Sequence, residues 1–206
     1  DDPAARERFL AVMSDQADRM GRLIDDLLSL SNVEMREHVP LSARVDLNEV
    51  TSHAVQALTP LADKSGATVE LRELTEPAII QGDRDEMVQL FQNLILNAIK
   101  YGKPNGKVSV TVGREPTGPS RPRRFTVSVT DDGPGIAKEH LPRLTERFYR
   151  VNVAASRATG GTGLGLAIVK HILNRHRGEL TVTSTLGQGS TFAVALPAAP
   201  EDAAAK

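Results

Sequence analysis

A run of seven residues, Gly160-Gly161-Thr162-Gly163-Leu164-Gly165-Leu166, constrains this chain more than any other feature. It opens into a helical pattern from about Leu164 to His176. Glycines let the backbone turn tightly, and the first N–H groups of the helix, lacking intrahelical partners, can hold phosphate oxygens. The run is not a Walker loop, because no Gly-Lys-Ser/Thr follows, nor a dinucleotide fingerprint, because no strand immediately precedes it. The bland alternative is a flexible linker.

At 206 residues, 40% hydrophobic and 25% charged, the chain can form one well-buried domain plus a smaller appendage. A net charge of -1 gives no global field toward nucleic acid or an anionic membrane, so no nucleic-acid partner is expected. The absence of cysteine excludes disulfides, thiolate metal sites and thiol catalysis. No apolar run approaches the roughly 20 residues that cross a bilayer, so any membrane anchor is expected outside this chain.

Residues 3 to 34 read as one long amphipathic helix, with a heptad seam of Phe9, Met13, Met20, Leu23, Leu27 and Leu30 interrupted by Gln16. A second stripe, Leu10, Ala17, Ile24 and Leu28, widens its apolar face. A polar linker over 35 to 45 follows, and the domain boundary is placed there: 1–45 helix and linker, 46–197 main domain, 198–206 tail. Asp46, with Glu49 as capping-box partner, is expected to start a helix from Leu47 to about Ser65. Then come strands near 68–71 and 78–81, a helix Arg84 to Tyr101 capped by Asp83, and a hairpin of 108–114 and 125–130 around an exposed loop, 115–124. The strands 179–184 and 190–196 close the pattern. Helices interleaved with mainly antiparallel strands indicate an α+β fold, one sheet layered with helices.

On the helix Arg84 to Tyr101, Asn93 and Asn97 share a face, and Lys100 lies one turn from Asn97, with Tyr101 adjacent. An Asn carbonyl oxygen is a hard, neutral ligand suited to Mg²⁺, and Asn97 is the chosen metal ligand. The alternative is an Asn93 bonded to nearby backbone and a solvated Lys100. Asp131-Asp132-Gly133-Pro134-Gly135-Ile136 follows a strand and offers a carboxylate that can accept from an adenine amino group, or else forms an ordinary Asp-Gly turn. Arg147 and Arg150 flank Phe148 and Tyr149 in a chain only 3% aromatic; the arginines can steady phosphate while the rings pack in the core.

In order and spacing, the segments Asn93 to Asn97, Asp131 to Gly135, Glu146 to Arg150, Gly161 to Leu166 and Gly187 to Thr191 resemble the nucleotide boxes of sensor histidine kinases. The resemblance covers about residues 46 to 197. It implies the two-layer α/β sandwich of the Bergerat (GHKL) ATP-binding type, shared with gyrase, Hsp90 and MutL, with a lid over 151 to 162. It further implies that Asn97 holds Mg²⁺, Asp131 the adenine amino group, Tyr101 the base, and that Gly163 and Gly165 approach the phosphates of ATP. Asn93, Gly133, Gly135, Gly161, Leu164 and Leu166 complete the expected nucleotide contacts, with Thr191 supporting the adenine end. Lys100, Arg147 and Arg150 are the expected catalytic cations. The stretch Arg143 to Arg150 is similar to phosphate-starvation sensors of the PhoR type.

Leu23-Ile24-Asp25-Asp26-Leu27-Leu28 resembles the second helix of the family's dimerisation and phosphotransfer hairpin, which implies a homodimer, a response-regulator partner and a cytoplasmic portion of an inner-membrane sensor. None of His38, His53, His140, His171 or His176 stands in the family's His-acid-x-x-x-Pro context, so the phospho-acceptor is expected to be absent. Three rivals remain. A gyrase-like or Hsp90-like ATPase needs a water-activating carboxylate on the Asn helix, where Glu86 lies at least two turns from Asn97. A degenerate scaffold would not need intact nucleotide boxes. A Ser/Thr kinase of anti-sigma type lacks the long N-terminal helix.

Overall fold

The computed structural model describes residues 3–36, 38–115, 123–151 and 161–200. Gly160, most of the expected lid (152–160) and of the hairpin loop (116–122), and tail residues 201–206 lie outside them.

Helix α1 spans Pro3–Met35. Its expected seam is divided in space. Leu30 and Val33 are buried against the rest of the molecule and Leu23 packs partly on it, whereas Phe9, Met13, Met20 and Leu27 are exposed. Thus one side of the C-terminal half of α1, with Leu23, Leu30 and Val33, is a domain contact, while Phe9, Met13, Met20 and Leu27 present an uncovered apolar face.

Strand β1 (Arg44–Asp46) pairs antiparallel with β3 (Ile79–Gln81) in a two-stranded sheet. β1 occupies the end of the expected linker; three residues with a single buried side chain, Val45, leave no readable period. Helix α2 (Leu47–Ser65) is capped by Asp46, whose Oδ1 accepts from the N–H groups of Asn48 (3.0 Å) and Ala78 (3.0 Å). One carboxylate therefore starts the helix and ties it to the approach to β3.

The main sheet has five strands in the order β2-β4-β5-β7-β6: β2 (Thr68–Arg72), β4 (Lys107–Arg114), β5 (Arg124–Asp131), β6 (Glu179–Thr185) and β7 (Gly189–Pro197). Only β2 and β4 are parallel; β4 and β5 form the expected hairpin, and β5 pairs β7 with Asp131 opposite Ser190. Alternation puts Val108, Val110, Val112, Val127, Val129, Phe192 and Val194 on one buried face. Helix α3 (Arg84–Tyr101) covers it with Met87, Leu90, Phe91, Leu94 and Ile95, and α4 (Gly165–Arg175) adds Ile168, Val169 and Ile172. This is the expected two-layer α+β sandwich behind a long helix.

Where α1, α3 and α4 approach one another, the interior holds a cluster of charge. Glu86 Oε1 pairs with Arg175 Nη1, both side chains almost wholly buried. Arg175 Nη2 donates to Val39 O (3.2 Å), and Arg36 approaches Asp83 (3.8 Å). The buried His176 ring accepts the Asp83 N–H at Nε2 (3.0 Å), so its proton is on Nδ1, which donates to Ile172 O (2.8 Å). Burial lowers the His176 pKa from 6.5; the Ile172 carbonyl, Glu86 and Asp83 oppose the shift and Arg175 reinforces it.

The folded ring resists a proton that the unfolded chain takes up near 6.5, so the stability linked to His176 is complete above that pH and declines below it. Urea midpoints measured downward from neutrality should show a loss of up to about 1.4 kcal/mol per pH unit from this group. That slope should flatten in His176→Gln; an unchanged slope in the variant would assign the loss to other groups.

Candidate functional site

The hydrophobic stripe of α3 faces the sheet, and helical periodicity turns Asn93, Asn97, Lys100 and Tyr101 together toward a cavity of about 740 Å³. The cavity is bounded by α3, the end of β5, the turn after it, the glycine run before α4, and the middle of α1. It gathers most of the expected site: Asn93, Asn97, Lys100, Tyr101, Asp131, Gly135, Arg150, Gly161, Gly163, Gly165 and Leu166 all line it.

At one end, Asp131 terminates β5 and is 7% exposed. Its Oδ1 accepts the Gly133 N–H at 2.9 Å, which is the part Gly133 plays, since that glycine does not itself line the cavity. Desolvation raises the Asp131 pKa, partly offset by N–H bonds from Gly133 and Ser190 and reinforced by Asp132. The turn therefore holds a carboxylate, rather than leaving an ordinary solvated Asp-Gly bend.

At the other end, Gly163 adopts φ 79°, and a Cβ there would lie 2.9 Å from the Phe148 Cα. Phe148 itself has φ 63° and donates its N–H to Gly163 O (2.9 Å). Two unusual backbone conformations thus lock the Arg147–Arg150 segment onto the glycine run. The first bond within α4 is Ile168 N–H to Leu164 O, so the N–H groups of residues 165–167 precede the helical ladder at the cavity wall. Leu164 is fully buried beneath this turn and anchors it without reaching the cavity.

Arg150 Nη2 is a buried donor with no hydrogen-bond partner while its residue lines the cavity, a donor that suits an anionic guest. The Lys100 pKa is lowered by burial first and by Arg22 second, with Asp26 opposing. Arg147 is not in the cavity: it pairs with Glu34 of α1, which also lies 3.5 Å from His171 Nε2. Phe148 is 56% exposed, against the expectation of core packing, whereas Tyr149 packs on the core and hydrogen-bonds His140 (2.7 Å).

Thr191 also stays outside. Strand alternation puts it on the far face of the sheet, where its hydroxyl meets that of Thr130 (2.9 Å), and its neighbours Ser190 and Phe192 face the cavity instead. Period-two counting from the buried Val194 and Leu196 could have found Ser190 and Phe192. Arg22, Asp25 and Asp26 of α1 also line the cavity, Asp26 accepting from the Thr162 hydroxyl. Nothing in a heptad pattern distinguishes these from solvated charges. Glu86, the carboxylate an ATPase would have needed, is in the interior cluster; among the described residues α3 brings no carboxylate to the cavity.

Residues 82–200 match the family described as histidine kinase-, DNA gyrase B-, and HSP90-like ATPase. The sensor-like histidine kinase SenX3 of Mycolicibacterium smegmatis is 39% identical over 98% of this chain and 50% of its own length. The phosphate regulon sensor protein PhoR of Pseudomonas aeruginosa is 39% identical over 90% of this chain and 40% of its own. The chain thus spans about half the length, or less, of these relatives. Among solved structures, full-length ShkA in complex with AMPPNP superposes with a TM-score of 0.72 at 28% identity, over 96% of this chain and 41% of that one. The mycobacterial sensor histidine kinase MprB gives 0.63 at 27% identity, over 77% and 99%. The chain belongs to the family of histidine kinase-, DNA gyrase B- and HSP90-like ATPases, and within it carries the ATP-binding catalytic domain of a sensor histidine kinase.

Proposed function

We propose that this chain binds MgATP in the α3–α4 cavity and presents its γ-phosphate to a histidine outside residues 1–206, for onward transfer to a response regulator. The observation that carries this is the convergence on one cavity of Asn97, Lys100, Arg150 with its unsatisfied Nη2, and the α4 N-terminus, with the buried Asp131 at the far end.

The donor set fits the ligand. Mg²⁺ that keeps waters and phosphate oxygens requires only one or two protein ligands, and the Asn97 amide oxygen supplies one; when bound, the ion neutralises phosphate charge. Lys100 and Arg150 line the same cavity and would pair with the phosphates, the first N–H groups of α4 would cradle them, and Asp131 would accept from the adenine amino group with Tyr101 bordering the base. Arg147 could join only after leaving Glu34. Catalysis on this chain is positioning and charge stabilisation, with no general base supplied by α3.

Titration with AMPPNP and Mg²⁺ should show binding in the micromolar range, roughly -8 kcal/mol, that weakens when Mg²⁺ is removed. Labelled γ-phosphate from ATP should then reach a dimerisation hairpin added in trans. Absence of binding would favour the scaffold reading; release of phosphate without that hairpin would favour an ATPase.

The sensor-type relatives support a cytoplasmic piece of an inner-membrane sensor, and the Arg143 to Arg150 stretch a phosphate-regulon type. Among the described residues no helix is long and apolar enough to cross a membrane. The exposed half of α1 is proposed to form a homodimer. Met20→Glu with Leu27→Glu, both at exposed positions, should reduce the mass by light scattering to that of a monomer; an unaltered dimer mass would refute this role. Leu23 is unsuitable for that test because it packs on the domain.

A further inference from the structure

The base end of the cavity is built on an irregular segment, Pro134 to Ile136, whose position is fixed by the β6–β7 hairpin. Gly187 N–H donates to Pro134 O (2.8 Å), and Ile136 N–H donates to Ser184 Oγ (2.8 Å). Gly135 lies so close to that hairpin that a Cβ would come within 2.2 Å of Thr185 O. Ser184 does not itself line the cavity, but Ile136 and Ser190, which it touches, do.

Its hydroxyl has three neighbours: the Ile136 N–H, Gly189 O (2.9 Å) and Ser190 Oγ (3.0 Å). A hydroxyl has one hydrogen and two lone pairs. The Ile136 amide can only donate and the Gly189 carbonyl can only accept. Ser184 therefore gives its hydrogen to Gly189 and accepts from Ile136, and its remaining lone pair receives the hydrogen of Ser190. With that hydrogen turned away, Ser190 offers only lone pairs to the cavity, beside the Asp131 carboxylate that also accepts.

We propose that Ser184 is a positioning residue for base selection: by orienting the Ser190 hydroxyl and pinning Ile136, it makes the base end acceptor-only. Such a wall suits the exocyclic amine of adenine and opposes the carbonyl that guanine carries at the same ring position. The inference rests on the nucleotide reading of the cavity.

Affinities for AMPPNP, GMPPNP and tripolyphosphate test it in the unaltered chain, in Ser184→Ala, and in the pair Ser184→Thr and Ser184→Val, which share a shape and differ in the hydroxyl. The preference for AMPPNP over GMPPNP should fall roughly fivefold or more in the Ala and Val variants, on the scale of one hydrogen bond. It should be retained in Ser184→Thr, with tripolyphosphate affinity the same throughout. Equal losses for all three ligands, or a Val variant that keeps the preference of the Thr variant, would overturn the proposal while leaving the nucleotide reading intact. Failure of the unaltered chain to bind AMPPNP would remove both.

Discussion

Asp131→Asn is expected to weaken AMPPNP binding by roughly 10- to 150-fold, the range for losing a hydrogen bond to a charged acceptor. The carboxylate is buried, holds the Gly133 N–H on Oδ1, and faces the cavity as an acceptor. Asn keeps the shape but replaces one oxygen with an NH₂ that faces either a backbone N–H or the amine of the base, both donors. Calorimetric titration measures the change, with thermal melting as the control for folding. Affinity preserved within about twofold would mean that the base is read elsewhere. Because burial raises the Asp131 pKa, the ionised acceptor should be lost at a higher pH on acidification than an ordinary aspartate, and adenine-nucleotide affinity should fall with it.

Glu86→Ala is expected to cost about 3–5 kcal/mol of folding stability, the scale for a buried charge deprived of its partner. Arg175 is 4% exposed and its Nε already lacks a partner; without Glu86 its nearest carboxylate is Asp83, at 3.8 Å. Replacing both, as Glu86→Met with Arg175→Met, should restore most of the loss, because two apolar side chains need no solvation. Urea unfolding of the single and double variants decides it. A single variant as stable as the parent would show that the guanidinium finds water or another anion. Glu86 is outside the cavity, so AMPPNP affinity in the folded variants should be unaffected.

The interior cluster also says something about coupling. Arg175 at the end of α4 holds Val39 O, and Arg36 approaches the Asp83 that caps α3. The passage from α1 into the domain is thereby attached to the two helices that form the cavity wall. Asp26 and Glu34 add attachments at Thr162 and Arg147, the base of the glycine run and the arginine segment. Helix α1 thus forms one wall of the cavity.

Much of this was readable in order along the chain. Local rules determine the long helices: an apolar period of 3.6, Asp46 and Asp83 as caps, and Pro and Gly at the breaks give α1, α2, α3 and α4 to within a few residues. The hairpin β4–β5 follows from alternating valines, and the candidacy of Asn97, Asp131 and Gly163, which line one cavity, from residue type and spacing, since these lie in short segments whose backbone geometry is set by nearby residues. Tertiary structure decided the rest. Whether Ser190 or Thr191 faces the cavity depends on which face of β7 is covered by helices. Arg147 depends on a carboxylate 113 positions earlier that no local pattern pairs with it. β1 exists only because β3 is beside it. Local periodicity sets an element's type and faces, but the partner a side chain meets is set by the packing of segments distant in sequence, which is where Asp26, Glu86 and Ser184 acquire their roles.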